Sequence, residues 1–219
     1  MGRTFDAFIF DLDGTLLDTL PDLVVLTNTA LREQGFPERT REEVHGFVGG
    51  GAGALIRQAV PPEATPEQRE ATLVRWRELY PLIGLNLTKP FPGILETLGV
   101  LSAAGARLGV LSNKFDAAVH DVIGHFIPGV FDVMHGECEG IPRKPDPAGL
   151  LRTMGELGVE PEHTLYVGDS RNDVMTARNA GVTVAAVTWG YTSVEALREY
   201  KPDYLVDDPL TFVEFLPRK

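Results

Sequence analysis

Four short stretches hold the residue types that chemistry needs, and they lie far apart in the chain. The first is Asp11-Leu12-Asp13-Gly14-Thr15, directly after an apolar run at residues 5–10. Two carboxylates two residues apart on a strand share a face. At the end of a buried strand they are costly unless a cation joins them, because two like charges ~4 Å apart repel by about 4 kcal/mol at an effective dielectric of ~20. Gly14 permits a sharp turn there. The competing reading is a strand end with solvated aspartates, or a cap for the helix that follows. A second acidic group, Gly168-Asp169-Ser170-Arg171-Asn172-Asp173, follows another apolar run at 164–167. Asp169 and Asp173 are four apart, on one side of a helix's first turn. Capping explains one aspartate, but not both this pair and the pair at 11 and 13. Together the four suit a hard divalent cation such as Mg²⁺, which takes oxygen ligands and one or two carboxylates, keeps waters and accepts a substrate phosphate. The alternating oxygen ligands of a calcium-binding loop are missing.

The other two stretches supply hydroxyl and amine groups. Ser112-Asn113-Lys114 follows a run at 107–111. A hydroxyl and a backbone N–H at a strand end, just before a helix, make an anion site, and a helix cap by Ser112 or Asn113 competes on equal terms. In Ile141-Pro142-Arg143-Lys144-Pro145-Asp146-Pro147 two prolines stiffen the loop, and Pro147 suits the first turn of a helix. A lysine held there can neutralise a phosphate or balance the aspartates as a compact point charge, and the competing reading is a solvated loop lysine, the commoner case.

These stretches must be held by regular elements. Strands are expected at 5–10, 107–111, 131–134, 164–167, 182–187 and 203–206, and helices at 93–104, 115–126, 147–157, 171–180 and 193–200. Such alternation implies an α/β fold, a doubly wound and mostly parallel sheet covered by helices on both faces. Ligands then sit beyond the carboxyl ends of the strands, near a switch in strand order. Each of the four stretches lies just after an expected strand, so all four fall on one edge of the sheet. Residues 17–90 break the alternation. They read as helical throughout, with 20–34 and 67–82 the longest segments and Pro61, Pro62, Pro66, Pro81, Pro90 and Pro92 as punctuation. The simplest organisation is a Rossmann-like core from 1–16 and 91–219, with an all-helical domain, 17–90, inserted after the first strand.

Composition narrows the function. The chain has 219 residues, 43% apolar and 23% charged, which suits a globular protein with a sizeable core. Its formal charge of −11 disfavours general binding to nucleic acid or anionic membranes. An anionic ligand would need a local positive site or a metal. The single cysteine, Cys138, makes no intramolecular disulfide and fits a reducing compartment. No run approaches the ~18 apolar residues of a membrane helix, and Asp6 and Asp11 interrupt any signal-peptide core. A cytoplasmic protein acting on a small molecule, as a monomer or homodimer, is expected.

The four motifs, in order and at this spacing, resemble those of the haloacid dehalogenase superfamily, specifically its phosphatases with a helical cap inserted after the first motif. Asn172-Asp173 followed by Ala177 and Ala180-Gly181, and Thr188-Trp189-Gly190-Tyr191, continue the likeness. Within the superfamily the chain looks most like the phosphoglycolate phosphatase group, on Asn113-Lys114 after the motif serine and Gly49-Gly50-Gly51-Ala52-Gly53 in the cap. The resemblance implies an aspartyl-phosphate mechanism. Asp11 is the implied nucleophile and Asp13 the general acid and base. Mg²⁺ is implied to be held by Asp11, the backbone carbonyl of Asp13, and Asp169, with Asp173 ligating or supporting. Ser112, the Asn113 amide and Lys144 would hold the phosphoryl oxygens. The expected substrate is a small phosphorylated metabolite, 2-phosphoglycolate first, with phosphomutase, pyrophosphatase and nucleotidase chemistry as alternatives. Dehalogenases lack an acid at the position of Asp13. Phosphonate hydrolases use a cap lysine, and residues 17–88 contain none. A signalling receiver module would need neither the inserted helices nor Asp13. Arg32, Arg41, Arg57 and the glycine stretch are candidates for a substrate carboxylate.

Overall fold

The structure, a computed structural model, describes residues 3–217. The chain divides into two compact units: one runs to Leu17 and resumes at Pro90, and the other is Asp18–Lys89. In chain order, β1 (Ala7–Phe10) and the short β2 (Leu17–Asp18) precede four helices, α1 (Leu20–Glu33), α2 (Arg41–Phe47), α3 (Ala52–Ala59) and α4 (Pro66–Ile83). The two-residue strand β3 (Lys89–Pro90) pairs with β2, a ribbon that the helical reading of 17–90 did not anticipate. Then follow α5 (Ile94–Ala103), β4 (Arg107–Phe115), α6 (Asp116–Phe126), β5 (Val133–Glu137) and α7 (Ala148–Leu157). The last elements are β6 (Thr164–Gly168), α8 (Arg171–Ala180), β7 (Thr183–Val187), α9 (Val194–Tyr200) and β8 (Tyr204–Val206).

The six-stranded sheet has the order β5-β4-β1-β6-β7-β8, and its neighbours are all parallel. β1 is the switch point. It pairs with β4 on one side (Phe10 opposite Val110) and with β6 on the other (Phe10 opposite Val167). Its sequence, Ala-Phe-Ile-Phe, is apolar at every position because a central parallel strand is covered on both faces. Ile9 packs with Leu150, Met154, Leu157 and Val174 of α7 and α8. Phe8 and Phe10 point the other way, where both meet the ring of Phe212 edge-on.

Two strands depart from expectation. β5 lies two residues later than 131–134, because Phe131 packs its ring against Phe10 and the Asp132 carboxylate accepts from the Leu108 N–H. Pairing proper therefore starts at Val133. β4 runs four residues past 111, through Ser112-Asn113-Lys114, and its last pairing is Phe115 with Glu137. The cap of α6 falls at Phe115, so neither Ser112 nor Asn113 caps that helix.

The helical unit has its own core, with Leu26, Leu31, Val44, Ile56, Trp76 and Tyr80 all buried. Thr40 with Glu43, and Thr65 with Gln68, form capping boxes that start α2 and α4. Asp22 on α1 is buried and accepts from the backbone N–H groups of Leu87 and Thr88 and from the Thr88 hydroxyl. Among the described residues no helix is long and apolar enough to cross a membrane.

Candidate active site

The carboxyl edge around β1 gathers the residues singled out by sequence, all within the sheet unit. Asp11 follows β1 directly. Its N–H donates to the Val167 carbonyl (2.8 Å), extending the ladder with β6 by one residue. The chain then turns tightly, with Leu16 and Leu17 N–H groups both donating to the Leu12 carbonyl. Gly14 sits at φ +84°, and a Cβ there would overlap the Asp169 carboxylate and the Tyr191 ring. Both the backbone conformation and the close approach therefore require glycine.

Asp169 follows β6. Ser170, not Asp169, caps α8, and Asp173 closes the capping box from the third helical position. One carboxylate oxygen each from Asp11, Asp169 and Asp173 lie within 4.8 Å of one another, and all three residues are buried. The Tyr191 N–H donates to Asp169 Oδ2 (2.6 Å), and the Trp189 indole donates to the Thr15 carbonyl (3.0 Å). The segment after β7 thus clamps two sides of the site. Gly190 passes so close that a Cβ would overlap Asp169 and the Gly14 carbonyl.

Lys144 enters this cluster from the loop before α7, and its side chain is only 4% exposed. Its Nζ lies 2.8 Å from Asp11 Oδ1, as an ion pair, and donates to Asp173 Oδ1 (2.7 Å) and the Tyr166 hydroxyl (3.1 Å). The loop is fixed by Asn113, whose side-chain amide accepts from the Lys144 N–H (2.8 Å) and donates to its carbonyl (3.2 Å). The Asn113 side chain therefore holds the Lys144 backbone in place. Asp173 accepts from four donors: Lys144, Tyr166, and the N–H and hydroxyl of Ser170. Ser112 is buried beside the cluster, its Oγ accepting from the Lys114 N–H (3.2 Å).

Three participants had no role assigned from sequence, although Lys114 and Tyr191 stand in its motifs. Lys114 places its Nζ 3.1 Å from Asp13 Oδ1, with the lysine side chain 4% exposed. Tyr166 is an interior residue of an apolar strand, and Tyr191 contributes through its backbone. Tyr166 carried a signal of its own, since a buried phenol in a strand needs a partner.

Electrostatics define what the cluster lacks. Burial pushes the Asp11 carboxyl up to about 7, and the Asp173 and Asp13 charges add to this while Lys144 opposes it. Burial likewise raises Asp169 well above the usual carboxylate range, reinforced by Asp173 and Asp11. Burial also disfavours the charge of Lys144, but Asp11, Asp173 and Tyr166 override it and hold its pKa well above the ordinary value. One lysine does not offset three buried carboxylates, so the site is short of positive charge. The all-oxygen donor set of Asp11, Asp169 and Asp173 fits a hard divalent cation that would supply it.

Of the arginines considered for a substrate carboxylate, Arg32 is exposed and paired with Glu38 (2.5 Å). Arg41 is exposed, and Arg57 lines a cleft in the helical unit.

The sequence profile of haloacid dehalogenase-like hydrolases matches residues 8–187. A phosphoglycolate phosphatase of Vibrio cholerae is 36% identical over 219 residues, covering 97% of each chain. Phosphoglycolate phosphatase 1 of Pseudomonas aeruginosa is 36% identical, over 91% of this chain and 75% of its own. Among solved structures, a Lactobacillus delbrueckii protein with a provisional phosphoglycolate phosphatase assignment superimposes with a TM-score of 0.90 at 31% identity, covering 99% of this chain and 100% of its own. Match length, identity and fold agree with the motif geometry, and the chain belongs to the haloacid dehalogenase-like hydrolase family.

Proposed function

We propose that the chain is a Mg²⁺-dependent phosphatase of a small phosphorylated metabolite, 2-phosphoglycolate being the first substrate to test, and that it works through an aspartyl-phosphate on Asp11. The observation that carries this reading is the convergence of Asp11, Lys144, Asp169 and Asp173, from separate stretches of chain, in one buried, cation-deficient cluster with Asp13 alongside. Relatives named phosphoglycolate phosphatases, similar over nearly the whole chain, support phosphoric monoester hydrolysis as the reaction.

In this mechanism an Asp11 oxygen bonds to phosphorus as the ester P–O bond breaks. The departing alkoxide takes a proton from Asp13. Asp13 then accepts a proton from the water that attacks the aspartyl-phosphate. The Asp11–phosphorus bond breaks and phosphate leaves. Lys144 holds its charge against Asp11 and meets the phosphoryl oxygens together with the Ser112 hydroxyl and the Asn113 backbone N–H. Lys114, paired with Asp13, fixes the direction in which that carboxyl faces. Asp11, Asp169 and the Asp13 carbonyl would hold a divalent cation, with Asp173 ligating or supporting, and that ion would supply charge to let carboxylate and phosphate approach. The helical unit Asp18–Lys89 acts as the cap that selects the organic part of the substrate.

The test is phosphate release from a panel of phosphorylated metabolites by the purified chain, ranked by kcat/KM. Asp11→Asn should abolish release while circular dichroism shows an intact fold. Substantial turnover by that variant would refute the nucleophile. Chelator should stop turnover and Mg²⁺ restore it.

A further inference from the structure

The helical unit contains a cleft of about 510 Å³ whose lining includes Arg39, Arg57, Arg69, Glu43, Phe47 and Val60. Three arginines and a single carboxylate residue line it, in a protein whose net charge is −11. Two of them are fixed by backbone carbonyls. Arg39 Nε donates to the Ala59 carbonyl (2.6 Å), and its Nη1 is 3.5 Å from Glu43. Arg69 donates through Nε to Ala64 (3.1 Å) and through Nη2 to Pro62 (2.8 Å). A carbonyl orients a guanidinium without neutralising it, so Arg69 keeps its full charge. Each of these arginines has five N–H donors and retains some beyond the contacts named. Arg57 is exposed on α3 and has no hydrogen bond or ion pair among the described residues.

A bracing role explains the carbonyl contacts of Arg39 to the end of α3 and of Arg69 to the segment joining α3 and α4. It does not explain Arg57, which lines the same cleft without a hydrogen bond or ion pair among the described residues. Planar, pre-oriented guanidinium forks match carboxylate and phosphate oxygens. Phe47 is half-buried and offers apolar surface for a short carbon skeleton, and the volume lies within the range of small-molecule sites. We propose that this cleft binds a small dianion, a phosphate ester or a dicarboxylate, through Arg39, Arg57 and Arg69. The proposal does not rest on the phosphatase reading, since every lining residue belongs to the helical unit.

The experiment is an NMR titration of the arginine Nε–H signals of the full chain, at constant ionic strength, with inorganic phosphate in one arm and succinate in the other. The Arg39, Arg57 and Arg69 signals should shift saturably, with a Kd of about 1 mM or tighter in at least one arm. Saturation in the phosphate arm alone assigns a phosphate ester, in the succinate arm alone a dicarboxylate, and in both a general dianion site. Arg57→Ala, which removes an exposed and unpartnered side chain, should weaken binding about tenfold with unchanged circular dichroism. Shifts that fail to saturate in both arms, or that sodium chloride reproduces, would overturn the proposal. So would undiminished affinity in Arg57→Ala.

Discussion

Replacing Lys144 by methionine removes the cation that Asp11 and Asp173 share. At 2.8 and 2.7 Å, and an effective dielectric of ~20, each attraction is about 6 kcal/mol. Dehydration of the ammonium cancels much of this, and deleting one partner of a buried pair costs a net ~3–5 kcal/mol. In a chain of this length 1 kcal/mol moves Tm by ~2–4 °C, so a fall of roughly 6–20 °C is expected in metal-free protein. The pH dependence follows from Asp11. Its folded-state pKa is about 7 against an ordinary 3.8, so folding favours the protonated carboxyl and stability is lost as pH rises between those values. Without Lys144 that pKa rises further and the loss continues to higher pH. The gap between wild type and Lys144→Met should therefore be wider near pH ~8 than near pH ~5.5. Calorimetry in chelator at both pH values measures it. A variant melting within about 2 °C of wild type at both would refute the buried ion-pair network. Phosphatase kcat should fall ~10²–10³-fold in the same variant, as for loss of a charge stabiliser in an active site.

Three further outcomes are expected. Protons compete with the cation for Asp11, so stabilisation by Mg²⁺ in thermal melts should grow from pH ~6 to ~8; an effect independent of pH would show that Asp11 is not a ligand. Gly190→Ala puts a methyl group into Asp169 and the Gly14 carbonyl, costing about 1–3 kcal/mol by overpacking and weakening metal affinity ~10–100-fold through displaced ligands, which calorimetric Mg²⁺ titration reads. Asp22→Ala strands the Leu87 and Thr88 N–H groups and the Thr88 hydroxyl, so urea unfolding should show a loss of about 2–5 kcal/mol.

The alternation of elements, and the placing of the candidate motifs at strand ends, were legible in the sequence. A buried parallel strand such as Ala7–Phe10 must be apolar throughout, and the polar residues after it mark where it meets solvent. The motifs at 11–15, 112–114, 144 and 168–173 are therefore readable as strand ends without coordinates. Helix starts at Thr40, Thr65 and Ser170 carry their own capping signals, because those bonds are local. What tertiary structure decided is which groups bind one another across the chain. Asp173 divides its oxygens between its own helix cap and Lys144, a pairing across 29 residues that no local pattern encodes. Lys114 meets Asp13 across 101 residues, and the Asn113 side chain turns to the Lys144 backbone. Gly14 and Gly190 are required by the Asp169 carboxylate pressing on each of them. Local sequence determines backbone periodicity and solvent exposure, which depend on neighbours along the chain. Charge pairing and close approach depend on distances in space, which exist only once the sheet has brought its strand ends together.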